Sequence, residues 1–199
     1  MIWLYAGVGV LVGAGIGYAA AKAMRPVPIS LGALLGGAGG IAVATSHYTP
    51  GWILLAVMLI WLWIGFVDVA EQIVPDLLSL AAAAISAAGL LGAAATSGDW
   101  VRLVQTVAIA GVVVAGAALW SIFGSLGWGD VKLSVSLGLI LGWQGWIATA
   151  AGAAAAVLIA GLWAGVVAAR KRSWKGHFPL APSWILGAFF AAVTLTGGL

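Results

Sequence analysis

Five side-chain carboxylates occur in 199 residues: Asp68, Glu71, Asp76, Asp99 and Asp130. Asp68 follows the apolar run Trp61–Val67 without a polar buffer. Asp130 follows Trp120–Trp128, whose only polar members are small. An ionisable group at the edge of such a run is costly and is therefore a functional candidate. Two carboxylates in one water-accessible site can share a proton, because like charges at close range do not both ionise easily. The ionised partner can then take a proton from water while the protonated one polarises a peptide carbonyl. This is the chemistry of aspartyl peptide hydrolysis. It asks for no metal, no cofactor and no nucleophilic side chain, and the two acids titrate as a unit.

The surroundings of each acid admit more than one reading. In Gly127-Trp128-Gly129-Asp130 the glycines allow unusual backbone angles and close approach of another chain, so an extended scissile segment could enter there. A helix starting at Asp130 would also place the acid at the positive end of a helix dipole. The plain alternative is a loop glycine pair followed by an N-cap aspartate. Asp76 precedes a long apolar run and reads as a helix cap. Glu71 reads as a solvated side chain and Asp99 as a loop residue or cap. With no cysteine and only His47 and His177, the chain offers neither a disulfide framework nor a thiolate or histidine metal cluster.

The elements that must position these acids are apolar helices. The chain is 64% hydrophobic and 7% charged, too little charge for a soluble domain of this length. Its 12 tryptophans suit membrane–water interfaces, and its net charge of +3 suits topology signals rather than nucleic-acid binding. Runs long enough to span a bilayer are expected near Ile2–Ala21, Ile29–Thr45, Trp52–Val67, Leu77–Ala95, Val101–Phe123, Val131–Leu141, Trp146–Ala169 and Leu180–Thr196. The expected fold is thus an all-α polytopic bundle of about eight transmembrane helices, one domain over 1–199. The first run lacks a preceding basic residue and is followed by Lys22 and Arg25, which reads as a retained helix with its N-terminus outside. With that orientation Lys22, Arg25, Lys132, Arg170, Lys171, Arg172 and Lys175 fall inside and only Arg102 outside, as the positive-inside rule asks. Asp68 and Asp130 then meet the same, inner face.

Two motifs carry a family resemblance. The first runs from Asp68 through six intervening residues to Pro75-Asp76-Leu77-Leu78-Ser79, and the second is Gly127-Trp128-Gly129-Asp130-Val131-Lys132-Leu133. At these residues the chain resembles the type IV prepilin peptidases, among the GxGD intramembrane aspartyl proteases. A weaker match is Phe178-Pro179-Leu180-Ala181-Pro182, where the family often has Pro-Phe-Gly-Pro. The likeness covers about residues 54–187. It implies Asp68 and Asp130 as the catalytic pair, with Gly127, Gly129, Lys132, Pro75 and Asp76 as motif residues. Lys132 is open to two readings, an electrostatic bias on the pair or an inner-face anchor. The implied substrate is a prepilin or pilin-like protein of pilus or secretion systems, with a short basic leader and an apolar helix in the membrane, cut at the cytoplasmic edge. The connection Lys22–Pro28 has no room for the cysteine-containing insert of many bacterial members, so the resemblance implies a peptidase without N-methyltransferase activity.

Two other classes compete. A small ion-coupled transporter would use the inner acids as ion ligands, but no acid lies near the middle of a segment and no inverted repeat is visible. An inactive assembly or scaffold member would have no need of both Asp68 and Asp130.

Overall fold

The computed structural model describes Leu11 and residues 50–124, 126–171 and 179–194. Six helices occupy them: α1 Gly51–Glu71, α2 Asp76–Ser97, α3 Trp100–Phe123, α4 Trp128–Gln144, α5 Trp146–Lys171 and α6 Ala181–Thr194. The expected segments Ile2–Ala21 and Ile29–Thr45, and with them the count of eight and the side of the N-terminus, lie outside the described residues. Among the described residues, four helices are long and apolar enough to cross a membrane, at Trp52–Glu71, Asp76–Ser97, Trp100–Phe123 and Trp146–Ala169. A shorter apolar helix covers Ala181–Ala191. At 1.5 Å per residue, a helix of about 20 residues matches the roughly 30 Å hydrocarbon layer. These helices fit a membrane protein.

The helix ends differ from the apolar runs in a way that matters. The expected third segment stops at Val67, but α1 continues to Glu71, so Asp68 lies within its last turn. Gln72 closes α1 in the left-handed region (φ 56°), its N–H donating to the Asp68 carbonyl. Pro75 then disfavours helical angles at Val74 and flanks α2 as its extended N-cap. The expected sixth segment, Val131–Leu141, widens to Trp128–Gln144. The bend after it is a single residue, Gly145, at φ 107°, a conformation that L side chains rarely adopt. Asp99 does cap α3, accepting the Arg102 N–H at 3.1 Å.

α4 is the axis of the bundle. Eleven of its 17 residues are buried, and it packs on α2, α3, α5 and α6. Small residues make this possible. A Cβ on Gly138 would stand 2.9 Å from the Ala110 Cα, and one on Gly142 would stand 2.9 Å from the Thr106 carbonyl oxygen. These two glycines, four apart on one face, let α3 and α4 touch at backbone level. α5 and α6 meet similarly, Gly187 against Gly152 and Ala156. Larger side chains fill the space between α1 and the rest. Trp61 is fully buried, packs near Phe189 at 6.0 Å between ring centroids, and donates from Nε1 to the Ser136 Oγ at 2.9 Å. The outward faces of α3 and α5 are apolar, with Val104, Val107, Leu158 and Leu162 exposed. Lipid, unlike water, accepts such faces, but it cannot satisfy stray backbone groups, so helices carry the crossing.

Candidate active site

The two aspartates arrive from separate helix ends. Asp68 comes from the last turn of α1 and Asp130 from the first turn of α4. Both are buried, at 6% and 9% exposure. Each belongs to a helix that packs on α2 and α6, and the segment that follows Asp68 touches the start of α4 through Val74 against Gly129 and Asp76 paired with Lys132. The end of α1 and the start of α4, whose acids are 62 residues apart in sequence, are thus linked through residues 74–76.

Their hydrogen-bonding differs. The Asp68 carboxylate accepts the backbone N–H of Ala181 through Oδ2 at 2.9 Å, a buried bond linking α1 to the start of α6. On Asp130, Oδ1 is buried without a hydrogen-bond partner among the described residues. A buried carboxylate oxygen lacking a donor is costly, and here it leaves one acceptor of the pair open to a bound group or water.

The motif glycines work by space rather than by backbone angle. Gly127 is the N-cap of α4 at φ −70° and ψ 147°, an ordinary extended conformation. Among the described residues the glycines with positive φ are Gly98 and Gly145, so the unusual angles expected at Gly127 and Gly129 are not used. The N-cap reading of Asp130 also fails, since Gly127 holds that position and Asp130 is the third helical residue. Close approach occurs at Gly129, where a Cβ would stand 2.7 Å from the Val74 Cβ; at Gly127 a Cβ would meet only the Asp130 Oδ2, at an ordinary 3.5 Å.

Asp76 is the first residue of α2, but its side chain caps nothing. It pairs with Lys132, Nζ to Oδ1 at 2.6 Å, the two side chains being 74% and 48% exposed. The cap expected of Asp76 is thus replaced by a tie to α4, because Lys132 one helical turn into α4 offers the better partner. Pro75 supplies the extended residue before α2 and accepts the Ser79 N–H. Glu71 is exposed at the end of α1. Among the described residues, no three His, Cys, Asp or Glu side chains group as a metal site would.

Sequence reasoning did not foresee the Ala181 amide on Asp68. The one signal was the weak match at Phe178–Pro182, where the described part, from Pro179 onward, lies against the site. No family model, curated protein or solved structure matches the chain.

Proposed function

We propose that the chain is an intramembrane aspartyl endopeptidase in which Asp68 and Asp130 activate water on a peptide bond. What supports this reading is the burial of two carboxylates, out of five in the chain, in the last turn of α1 and the first turn of α4, with their neighbours Val74 and Gly129, and Asp76 and Lys132, against each other. Two acids at close range share a proton, which supplies a base for water and an acid for the carbonyl in one site. The Asp130 Oδ1, which has no hydrogen-bond partner among the described residues, supports it further as an acceptor for a reacting group.

The substrate reading rests on the two motifs. GxGDxKL at Gly127–Leu133 and the Asp…Pro-Asp element at Asp68–Asp76 favour prepilins or pilin-like proteins with a short basic leader, and the cysteine-free chain favours leader removal without methylation. In this proposal the described helices belong to an eight-helix protein of the cell membrane with its N-terminus outside. Asp68 and Asp130 then face the cytoplasm, together with Lys132 and the Arg170-Lys171 end of α5, while Arg102 faces outward.

The deciding experiment is co-expression with a candidate prepilin, reading leader removal by mass. The wild type is expected to remove the leader, and Asp68→Asn and Asp130→Asn to insert normally but leave it in place. Normal processing by either variant overturns the assignment.

A further inference from the structure

We propose that the connection between α1 and α2 is clamped to the N-terminus of α4 by two contacts, Val74 on Gly129 and Asp76 with Lys132, and that this clamp sets the separation of Asp68 and Asp130. Lys132 is then a positioning residue. The inference deepens the peptidase reading and rests on it only for its meaning in catalysis.

The placement of the contacts carries the argument. Val74 and Asp76 follow Asp68 by six and eight residues, and Gly129 and Lys132 flank Asp130 by one and two. Each contact therefore joins the neighbourhood of one acid to that of the other. Val74 is buried at 8% exposure and sits where a Gly129 side chain would be, so the loop seats directly on the α4 backbone. The ion pair fixes the same two segments from the exposed side at 2.6 Å. Asp68 has a second anchor in the Ala181 amide. Asp130 Oδ1 has no hydrogen-bond partner among the described residues, so its place relative to Asp68 follows the seating of α4.

The two contacts differ in kind, which makes them separable. An exposed ion pair contributes little to stability, so its variants should fold. Its geometric effect can still be large, since a misplacement of about 1 Å can cost roughly 100-fold in rate. If Lys132 instead acted by its charge on Asp130, moving that charge to position 76 would not restore function. A clamp accepts the exchange.

The chain has no cysteine, so Asp68→Cys with Asp130→Cys reports the separation without peptidase activity. The probe is a short bifunctional thiol reagent applied to the full chain in membranes, with bridging read by mass. The reference pair is expected to bridge. Lys132→Asp is expected to lower the yield several-fold and Asp76→Lys, added to it, to restore it. Gly129→Ala is expected to lower it and Val74→Gly to restore it. In the aspartate-bearing protein, Lys132→Asp should reduce kcat about tenfold or more with KM little changed, and the exchange should recover it. Should Gly129→Ala fail to accumulate, the charge exchange decides alone. Bridging indifferent to Lys132→Asp, or a loss that the exchange leaves unrepaired, overturns the clamp. Failure of the reference pair to bridge would overturn the meeting of the acids itself, and with it both readings.

Discussion

Asp68 and Asp130 share a burial but not a hydrogen-bonding environment. Asp68 leans on the Ala181 amide and Asp130 keeps one oxygen without a hydrogen-bond partner among the described residues. Each carboxylate is a distinct part of the proposed chemistry, so Asp→Asn at either position should lower kcat by about 10²–10⁴ in a leader-cleavage assay. The Ala181 bond can be removed without touching Asp68. Ala181→Pro deletes the N–H at the first position of α6, where proline suits a helix, whereas Ala181→Gly retains it. Leader cleavage should fall for the proline variant and persist for the glycine one, with both assayed for membrane insertion by the same blot. Asp68 and Asp130 were legible in the sequence because charge interrupts apolar runs there. The amide was not, because every residue but proline carries one and only the fold selects which is used. Gly129 was half legible: the space beside it was foreseen for an incoming scissile segment, whereas Val74 of the same chain, an ordinary apolar residue inside the first motif, lies against it.

At the scale of elements, helix contacts give glycine two opposite values. Gly138 and Gly142 meet the α3 backbone, so alanine there should destabilise by about 1–3 kcal/mol through overpacking. Gly92 and Gly111 have nothing within 4 Å among the described residues, and alanine there should stabilise by roughly 0.5–1 kcal/mol through helix preference. Detergent-titrated unfolding of the four variants would separate the groups. The buried bond from Trp61 to Ser136 makes a further prediction on the same measurement. Ser136→Ala strands an indole N–H inside the bundle and should cost about 1–3 kcal/mol. Hydropathy marked all six helices, since apolar length is the signal membranes require. It misjudged the ends that carry the chemistry. Asp68 and Asp130 border the apolar runs in sequence but lie inside helices in space, because α1 continues past its run to Glu71 and α4 starts before its run, at Trp128. Nor does composition show that α4 is central, since its Gly and Ser residues differ little from those of its neighbours.

At the scale of the whole molecule, the proposed orientation has a direct readout. In the cysteine-free background, Gln72→Cys and Ser97→Cys lie at opposite ends of α2. A membrane-impermeant thiol reagent added to intact cells should modify the cysteine at 97 and spare the one at 72 until the membrane is opened. The reverse pattern would invert the orientation. The bond between Asp68 and Ala181 spans 113 positions of the chain, and this has a consequence for biosynthesis. As the protein emerges from the ribosome, both acids are inserted well before α6 exists. The donor that holds Asp68 lies 113 positions downstream, so a chain that stops short of α6 carries Asp68 without that bond, and in the proposed peptidase competence waits on translation of α6.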